Sequence, residues 1–198
     1  MKLWEKVIKM RLRRVTKVAE NQFGFMPGRS TMEAIHITRS LMEKYREKQK
    51  ALHCAFLDLE KAYDSVPRQL IWRMLQAKGV TGRYIRGSAL SPYLFTLIID
   101  ELSRGLQEEL PWCMIFADYI ALIARSTEEL NQRIEKWREA LEDHGLCVSR
   151  EKTEYLRCDF DNQEIRQDGD EVISIGGRIL CLKESFRYLG SVMHKSGK

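Results

Sequence analysis

The sequence of 198 residues lacks the features that mark several common classes of protein. No apolar stretch approaches the roughly 20 residues of a membrane-spanning helix, and lysines occupy the N-terminus where a signal peptide is apolar. The five cysteines include no C-x-x-C pair, and the four histidines show no ligand spacing. These spacings argue against a disulfide framework and a zinc site. We therefore expect an intracellular protein, nuclear or cytoplasmic, without signal peptide, transmembrane segment or membrane partner.

Positive charge is concentrated in the first 20 residues. They hold seven cations and two anions, and so carry the whole formal net charge of +5. At helical spacing, one face collects five of these cations, namely Lys2, Lys6, Lys9, Arg13 and Lys17. Two interpretations stay open: a basic helix that binds nucleic-acid phosphates, or an amphipathic helix with a solvated charged face.

Helix signals recur along the rest of the chain. Ser30 and Ser126 are each followed three residues later by a glutamate, which is the sequence pattern of a capping box. Pro67 and Pro92 each precede a run of apolar residues at helical spacing, and Gly79 and Gly145 are placed to end helices. Residues 23–31, rich in glycine and proline, predict a turn.

Short apolar strings between these helices predict strands. Residues 51–57 form one that ends at Asp58, and the strings 112–117 and 120–124 predict a tight hairpin with Asp118 at its tip. Gly176-Gly177 predicts a further two-residue hairpin turn. The element order indicates a single α+β domain over residues 1–198, with helices packed on an antiparallel sheet.

Asp58 and Asp118 stand at the ends of otherwise apolar strings. A carboxylate beside so much apolar sequence is costly unless it is solvated, paired or bound to metal. One interpretation leaves both in solvent at strand ends. The other brings the two strand ends together to hold Mg²⁺, which takes one or two protein carboxylates plus substrate phosphates.

Six motifs in order resemble the reverse-transcriptase domain of non-LTR (LINE-type) retrotransposons. They are NQFGFMPGRST at 21–31, FLDLEKAYDSV at 56–66, GSALSPYLF at 87–95, FAD at 116–118, GL at 145–146 with KT at 152–153, and FRYLG at 186–190. Together they span nearly the whole chain. The resemblance implies a right-hand polymerase fold without a thumb, in which residues 1–50 form partial fingers and residues 51–198 the palm.

The resemblance also implies roles for individual residues. Asp58 and Asp118 would be catalytic and would bind Mg²⁺, with the carbonyl of Leu59 as a third ligand. Tyr63 would exclude a ribose 2′-hydroxyl from the nucleotide site, and Lys152 would lie near the departing pyrophosphate. Four residues of the last motif would grip the primer end: Phe186, Tyr188, Leu189 and Gly190. The implied partners are an RNA template, a DNA primer and deoxynucleotides.

Two departures from the family pattern bear on activity. Tyr119 stands where the family hairpin carries a second aspartate, and Arg86 runs directly into Gly87 where the family has an intervening segment ending in glutamine. We therefore expect an ancestral reaction of RNA-directed DNA synthesis by two-metal nucleotidyl transfer that is weak or lost in this truncated and internally deleted chain. The alternatives are a non-catalytic nucleic-acid-binding protein or a relic retroelement fragment.

Overall fold

A mixed sheet of five strands, covered by helices, organises the part of the chain that the structure describes. The structure is a computed structural model, and it describes residues 10, 12–14, 16–77, 92–160 and 172–197. Lys2, Lys6, Lys9 and the Arg86-Gly87 junction lie outside the described residues.

The elements agree closely with the sequence pattern. The helices are α1 (Thr31–Glu47), α2 (Ala62–Ser65), α3 (Arg68–Ala77), α4 (Pro92–Leu102) and α5 (Thr127–Glu142). The strands are β1 (Leu52–Asp58), β2 (Cys113–Phe116), β3 (Tyr119–Ala124), β4 (Glu154–Cys158), β5 (Ser174–Ile175), β6 (Arg178–Ile179), β7 (Leu182–Lys183), β8 (Ser185–Tyr188) and β9 (Ser191–His194).

The two serine caps form as predicted. The Ser30 side chain accepts a hydrogen bond from the Glu33 amide, and the Ser126 side chain accepts one from the Glu129 amide. Each bond satisfies an amide that the first helical turn leaves without a partner. The predicted Gly176-Gly177 turn is also present, with both glycines at positive φ between β5 and β6.

The sheet order is β2-β3-β1-β4-β7. Its first four strands are antiparallel, but β7 pairs with β4 in parallel, so the prediction of a wholly antiparallel sheet was wrong at this edge. A parallel neighbour requires a crossover instead of a tight turn, and the β5–β6 hairpin lies in the connection between β4 and β7.

Strand β1 is buried along its whole length because side chains cover both faces of the sheet. Ala55 and Leu57 pack into the core beneath α4 and α5. Phe56, on the opposite face, packs with residues of α1 and of the β8–β9 hairpin. This two-sided burial explains why β1 reads as a continuous apolar run instead of an alternating one.

The N-terminal helix ends earlier than its charge pattern predicts. Residues 12–14 are helical, but residues 16–19 are not, so Lys17 does not continue the basic helical face. The Thr16 hydroxyl bonds to Tyr93, and the Ala19 amide donates to the Asp100 carboxylate at 2.9 Å. These two tertiary hydrogen bonds hold residues 16–19 against α4 instead of in a continued N-terminal helix.

The chain at the start of the predicted turn 23–31 is hydrogen-bonded to the edge strand β2. The Phe23 amide donates to the Ile115 carbonyl at 2.8 Å, and the Ile115 amide donates to the Asn21 carbonyl at 2.9 Å. The next residue, Gly24, touches the backbone of the β2–β3 turn, where a Cβ would lie 2.3 Å from the Ala117 nitrogen. Only glycine permits this close approach.

Among the described residues, every helix is too short or too polar to cross a membrane.

We expect the Gly24→Ala variant to unfold more easily, because the added methyl meets backbone atoms that cannot rotate away. The loss in the free energy of unfolding should be about 1–3 kcal/mol, measured by urea denaturation. Gly105→Ala is the matched control, since a Cβ there meets nothing within 4 Å. Equal stability of the two variants would contradict the close-approach argument.

Stability should also depend on pH through His53, whose Nδ1 lies 2.8 Å from the Tyr155 hydroxyl. Burial, and secondarily the Arg157 cation, lowers the pKa of His53 from 6.5 to about 4. Between these values the unfolded chain binds a proton that the folded chain does not, so the free energy of unfolding rises with pH from about 4 to 6.5. The rise should total roughly 2–3 kcal/mol.

Urea denaturation across this pH range tests the assignment. His53→Gln should flatten the rise, whereas His144→Gln should leave it in place because His144 is exposed. If both variants keep the slope of the unchanged protein, another group is responsible.

Candidate active site

Asp58 and Asp118 are brought together by the pairing of β1 with β3. Asp58 ends β1 directly opposite Tyr119, the first residue of β3. The Leu59 amide then donates to the Asp118 carbonyl at 3.1 Å. The two acidic residues, 60 positions apart in the sequence, are therefore neighbours at one end of the sheet.

The β2–β3 turn that carries Asp118 has only two residues, Ala117 and Asp118. Phe116 pairs with Tyr119, and Ala117 has a φ of 58°. A positive φ at the first central residue is the pattern of a II′ turn, whose twist suits a hairpin and where glycine is usual. The contact of Gly24 with this turn holds it from the other side.

The Asp58 carboxylate is largely buried, with 10% of its side chain exposed. Burial has the largest effect on the pKa of Asp58 and raises it. The Lys152 cation and a hydrogen bond from the Tyr119 phenol lower this pKa, and the nearby Asp118 charge raises it. Among the described residues, its ion-pair partner is the Lys152 Nζ, 4.0 Å away and at the outer limit of an ion pair. The negative charge at this position is thus only partly compensated by the protein.

Tyr119 interacts with the carboxylate that it faces across the strands. Burial raises the pKa of Tyr119, and the Asp58 charge raises it further. The residue is nevertheless 40% exposed. A neutral phenol thus stands beside the two acids, where it adds no negative charge and stabilises the charged form of Asp58.

Lys152 lies in the turn before β4, and this turn is hydrogen-bonded to the end of β1. The Ser149 amide donates to the Asp58 carbonyl at 2.8 Å, and the Thr153 amide donates to the Ser149 carbonyl at 3.0 Å. This turn leaves the Lys152 side chain 69% exposed. The lysine side chain therefore extends largely into solvent while its Nζ lies next to Asp58.

Tyr63 lies on the short helix α2, beside the acids. Its ring packs against Phe95 of α4, with centroids 4.8 Å apart. Burial raises its pKa, and so does the Asp118 carboxylate. Tyr63 is therefore held between the hydrophobic core and the acidic end of the sheet.

The predicted primer-gripping residues form the β8–β9 hairpin. Leu189 and Gly190, both at positive φ, make its two-residue turn. Phe186 packs on Phe56 with centroids 4.1 Å apart, and Tyr188 packs on the same ring at 4.8 Å. Tyr188 is 2% exposed, so its ring contributes to the core, whereas Gly190 of the turn is exposed.

The two described members of the predicted basic face differ in environment. The Arg13 guanidinium donates to the Phe25 carbonyl at 2.7 Å and lies 4.9 Å from the centre of the Tyr93 ring. Lys17 is exposed. Arg13 thus connects the N-terminal turn to the segment beside Gly24.

The donor set fits a hard divalent cation, though with few ligands. Two carboxylates and the Leu59 carbonyl are oxygen donors of the kind that Mg²⁺ prefers. In the described part of the chain, no group of three or more His, Cys, Asp or Glu side chains is placed to hold a metal. The partly compensated charge of Asp58 is the observation that favours a cation here.

Sequence reasoning missed the role of Gly24 in supporting the Asp118 turn. Its sequence signal is slight, a single glycine between two aromatic residues. That glycine contacts a residue 93 positions later, so the contact becomes visible only when the sheet is assembled.

Comparison with known proteins places this arrangement in a family. The family model described as reverse transcriptase (RNA-dependent DNA polymerase) matches residues 1–193. The retrovirus-related Pol polyprotein from type-1 retrotransposable element R2 of Nasonia vitripennis is 24% identical over 89% of this chain. The probable RNA-directed DNA polymerase from transposon BS of Drosophila melanogaster is 33% identical over 33% of it.

The chain spans 22% of the length of the first relative and 8% of the second. The family match nevertheless covers the sheet, both acidic residues and all of the β8–β9 hairpin except His194. The predicted resemblance to a non-LTR retroelement domain is confirmed, and a palm-type polymerase fold agrees with the mixed α/β architecture. The chain belongs to the reverse transcriptase (RNA-dependent DNA polymerase) family.

Proposed function

We propose that this domain carries out RNA-directed DNA synthesis at Asp58 and Asp118, at a low rate. The observation that supports this site is the register of β1 with β3, in which Asp58 faces Tyr119 and Leu59 bonds to Asp118. Two acids with no sequence proximity meet at one end of the sheet. The substrates would be an RNA template, a DNA primer and deoxynucleotides.

Mg²⁺ would be held by the two carboxylates and the Leu59 carbonyl, together with phosphate oxygens of the nucleotide. When bound, two such ions supply charge stabilisation to the attacking and leaving oxygens of a phosphoryl transfer. The buried position of Asp58 suits this task, because an electrostatic interaction is stronger where water is excluded.

Neighbouring residues would orient the substrates. The exposed Lys152 would offset the negative charge of the departing pyrophosphate. Tyr63, packed against Phe95, would present a fixed ring that leaves no room for a ribose 2′-hydroxyl. The Leu189-Gly190 turn would contact the primer end, with Phe186 and Tyr188 anchoring the hairpin to the core.

Tyr119 is the reason to propose a low rate. Its phenol replaces a carboxylate with a neutral and weaker metal ligand, and it occupies the space beside Asp58. Misplacement of reacting groups by about 1 Å can cost on the order of 100-fold in rate. The altered Arg86-Gly87 junction, which lies outside the described residues, would add to this loss.

Asp58→Asn should abolish Mg²⁺-dependent primer extension on an RNA template, because the amide keeps the size of the side chain and removes its charge. We expect a loss of at least about 100-fold, measured by gel after confirming the fold by circular dichroism. Asp64→Asn is the matched control, since Asp64 is exposed in the adjacent helix. If purified Asp58→Asn extends the primer as fast as the unchanged protein, then Asp58 does not carry the activity and the proposed site is refuted.

Tyr119→Asp should strengthen metal binding, because it restores a third carboxylate beside Asp58 and Asp118. We expect roughly tenfold tighter Mn²⁺ binding, measured by electron paramagnetic resonance, and faster primer extension. Tyr119→Phe removes only the hydroxyl and should give neither gain. If Tyr119→Asp binds Mn²⁺ no better than Tyr119→Phe, then the missing carboxylate is not what limits the site.

A further inference from the structure

A polar cavity lies at the end of the sheet opposite Asp58. It has a volume of about 530 Å³ and is lined by Tyr45, Lys48, Gln49, Lys50, Ala51 and Arg125. We call this cavity the Tyr45 pocket. Ala51 precedes β1 and Arg125 follows β3, so the antiparallel pairing of the two strands brings these residues together. At about 3.3 Å per residue, the seven-residue strand β1 separates the pocket from Asp58 by roughly 23 Å.

The pocket is positively charged. Three of its six lining residues are cations and none is an acid. Within the described part of the chain, no carboxylate lies within ion-pair distance of Lys48, Lys50 or Arg125, unlike the ion-paired Arg133 and Arg138 of α5. The C-terminus of α1 contributes roughly half a negative charge, which three cations exceed.

The turn that carries the two lysines is held in a defined shape. The Gln49 amide donates to the Arg46 carbonyl at 3.0 Å, and the Lys50 amide donates to the Tyr45 carbonyl at 3.1 Å. Gln49 has a φ of 49°, in the left-handed region that glycine or asparagine usually occupies after a helix. The backbone of the lysines is thus preorganised before any ligand binds.

Aromatic rings stand beside the cations. The Arg125 guanidinium lies 4.7 Å from the centre of the Trp112 ring, and Tyr45 meets the same ring edge-on, with centroids 6.4 Å apart. Trp112 therefore holds Arg125 in place by a cation–π contact. Arg125 and the half-buried Tyr45 both line the cavity.

We propose that the Tyr45 pocket binds a single-stranded nucleic acid, separately from the site at Asp58. Lys48, Lys50 and Arg125 would contact successive phosphates, and the Tyr45 ring would stack on a base. Cations alternating with an aromatic surface are the combination that single strands require, because phosphates need charge and bases need a flat apolar face. The fixed turn lowers the entropy lost when the strand binds.

Salt-dependent binding of a 12-nucleotide single-stranded RNA, followed by fluorescence anisotropy, tests this proposal. The Lys48→Gln/Lys50→Gln/Arg125→Gln variant should lose about 2 units of the slope of log K against log salt, near 0.7 for each phosphate contact. The control Arg104→Gln/Lys136→Gln/Arg178→Gln variant removes the same charge from other exposed positions and should lose less than one unit. Equal losses in the two variants would overturn the proposal.

Two further measurements separate the pocket from general charge. The single variant Lys50→Gln, which alters an exposed turn, should keep the melting temperature of the unchanged protein. Its slope of log K against log salt should fall by about one third of the loss expected for the triple variant. Tyr45→Leu should weaken RNA binding at least threefold and leave the binding of inorganic polyphosphate of similar length unchanged. If Tyr45→Leu weakens both ligands equally or neither, then no base stacks on Tyr45 and the proposal fails.

Discussion

The pairing of β1 with β3 is the constraint on which the rest of the domain depends. It buries the apolar residues of β1 on both faces of the sheet, and it puts Asp58 beside the Asp118 turn. A shift by one residue would turn every side chain of β1 to the other face. The same register therefore determines both the packing of the core and the geometry of the acidic site.

The acidic end of the sheet combines the two acids that we propose as catalytic with a neutral residue, Tyr119, beside them. The Asp118 turn is held by the sheet on one side and by Gly24 on the other. Tyr119 fills the remaining space beside Asp58 with a neutral group. The fold thus preserves the position of the two acids, while the local chemistry supplies fewer metal ligands than a third carboxylate would allow.

The two ends of the central strands differ in charge. At one end, two carboxylates are partly compensated by the exposed Lys152. At the other, three cations surround the Tyr45 pocket and a fixed helix-ending turn carries two of them. Because β1 connects the two ends directly, a nucleic acid bound at the pocket would be held at a fixed distance from the acids.

Local features of this domain could be predicted from the sequence alone. The serine caps, the apolar strand before Asp58, the hairpin with Asp118 at its tip and the Gly176-Gly177 turn depend on contacts within a few residues. Motif order also predicted the family correctly.

Contacts between distant segments were decided only by the tertiary structure. The parallel β7, the end of the N-terminal helix before Lys17, the approach of Gly24 to Ala117 and the meeting of Lys50 with Arg125 all depend on residues far apart in the chain. Periodicity reports which face of an element is apolar, but it does not report which other element covers that face. The proximity of Asp58 to Tyr119 and Asp118 is also a tertiary feature, because the pairing of β1 with β3 brings these residues together.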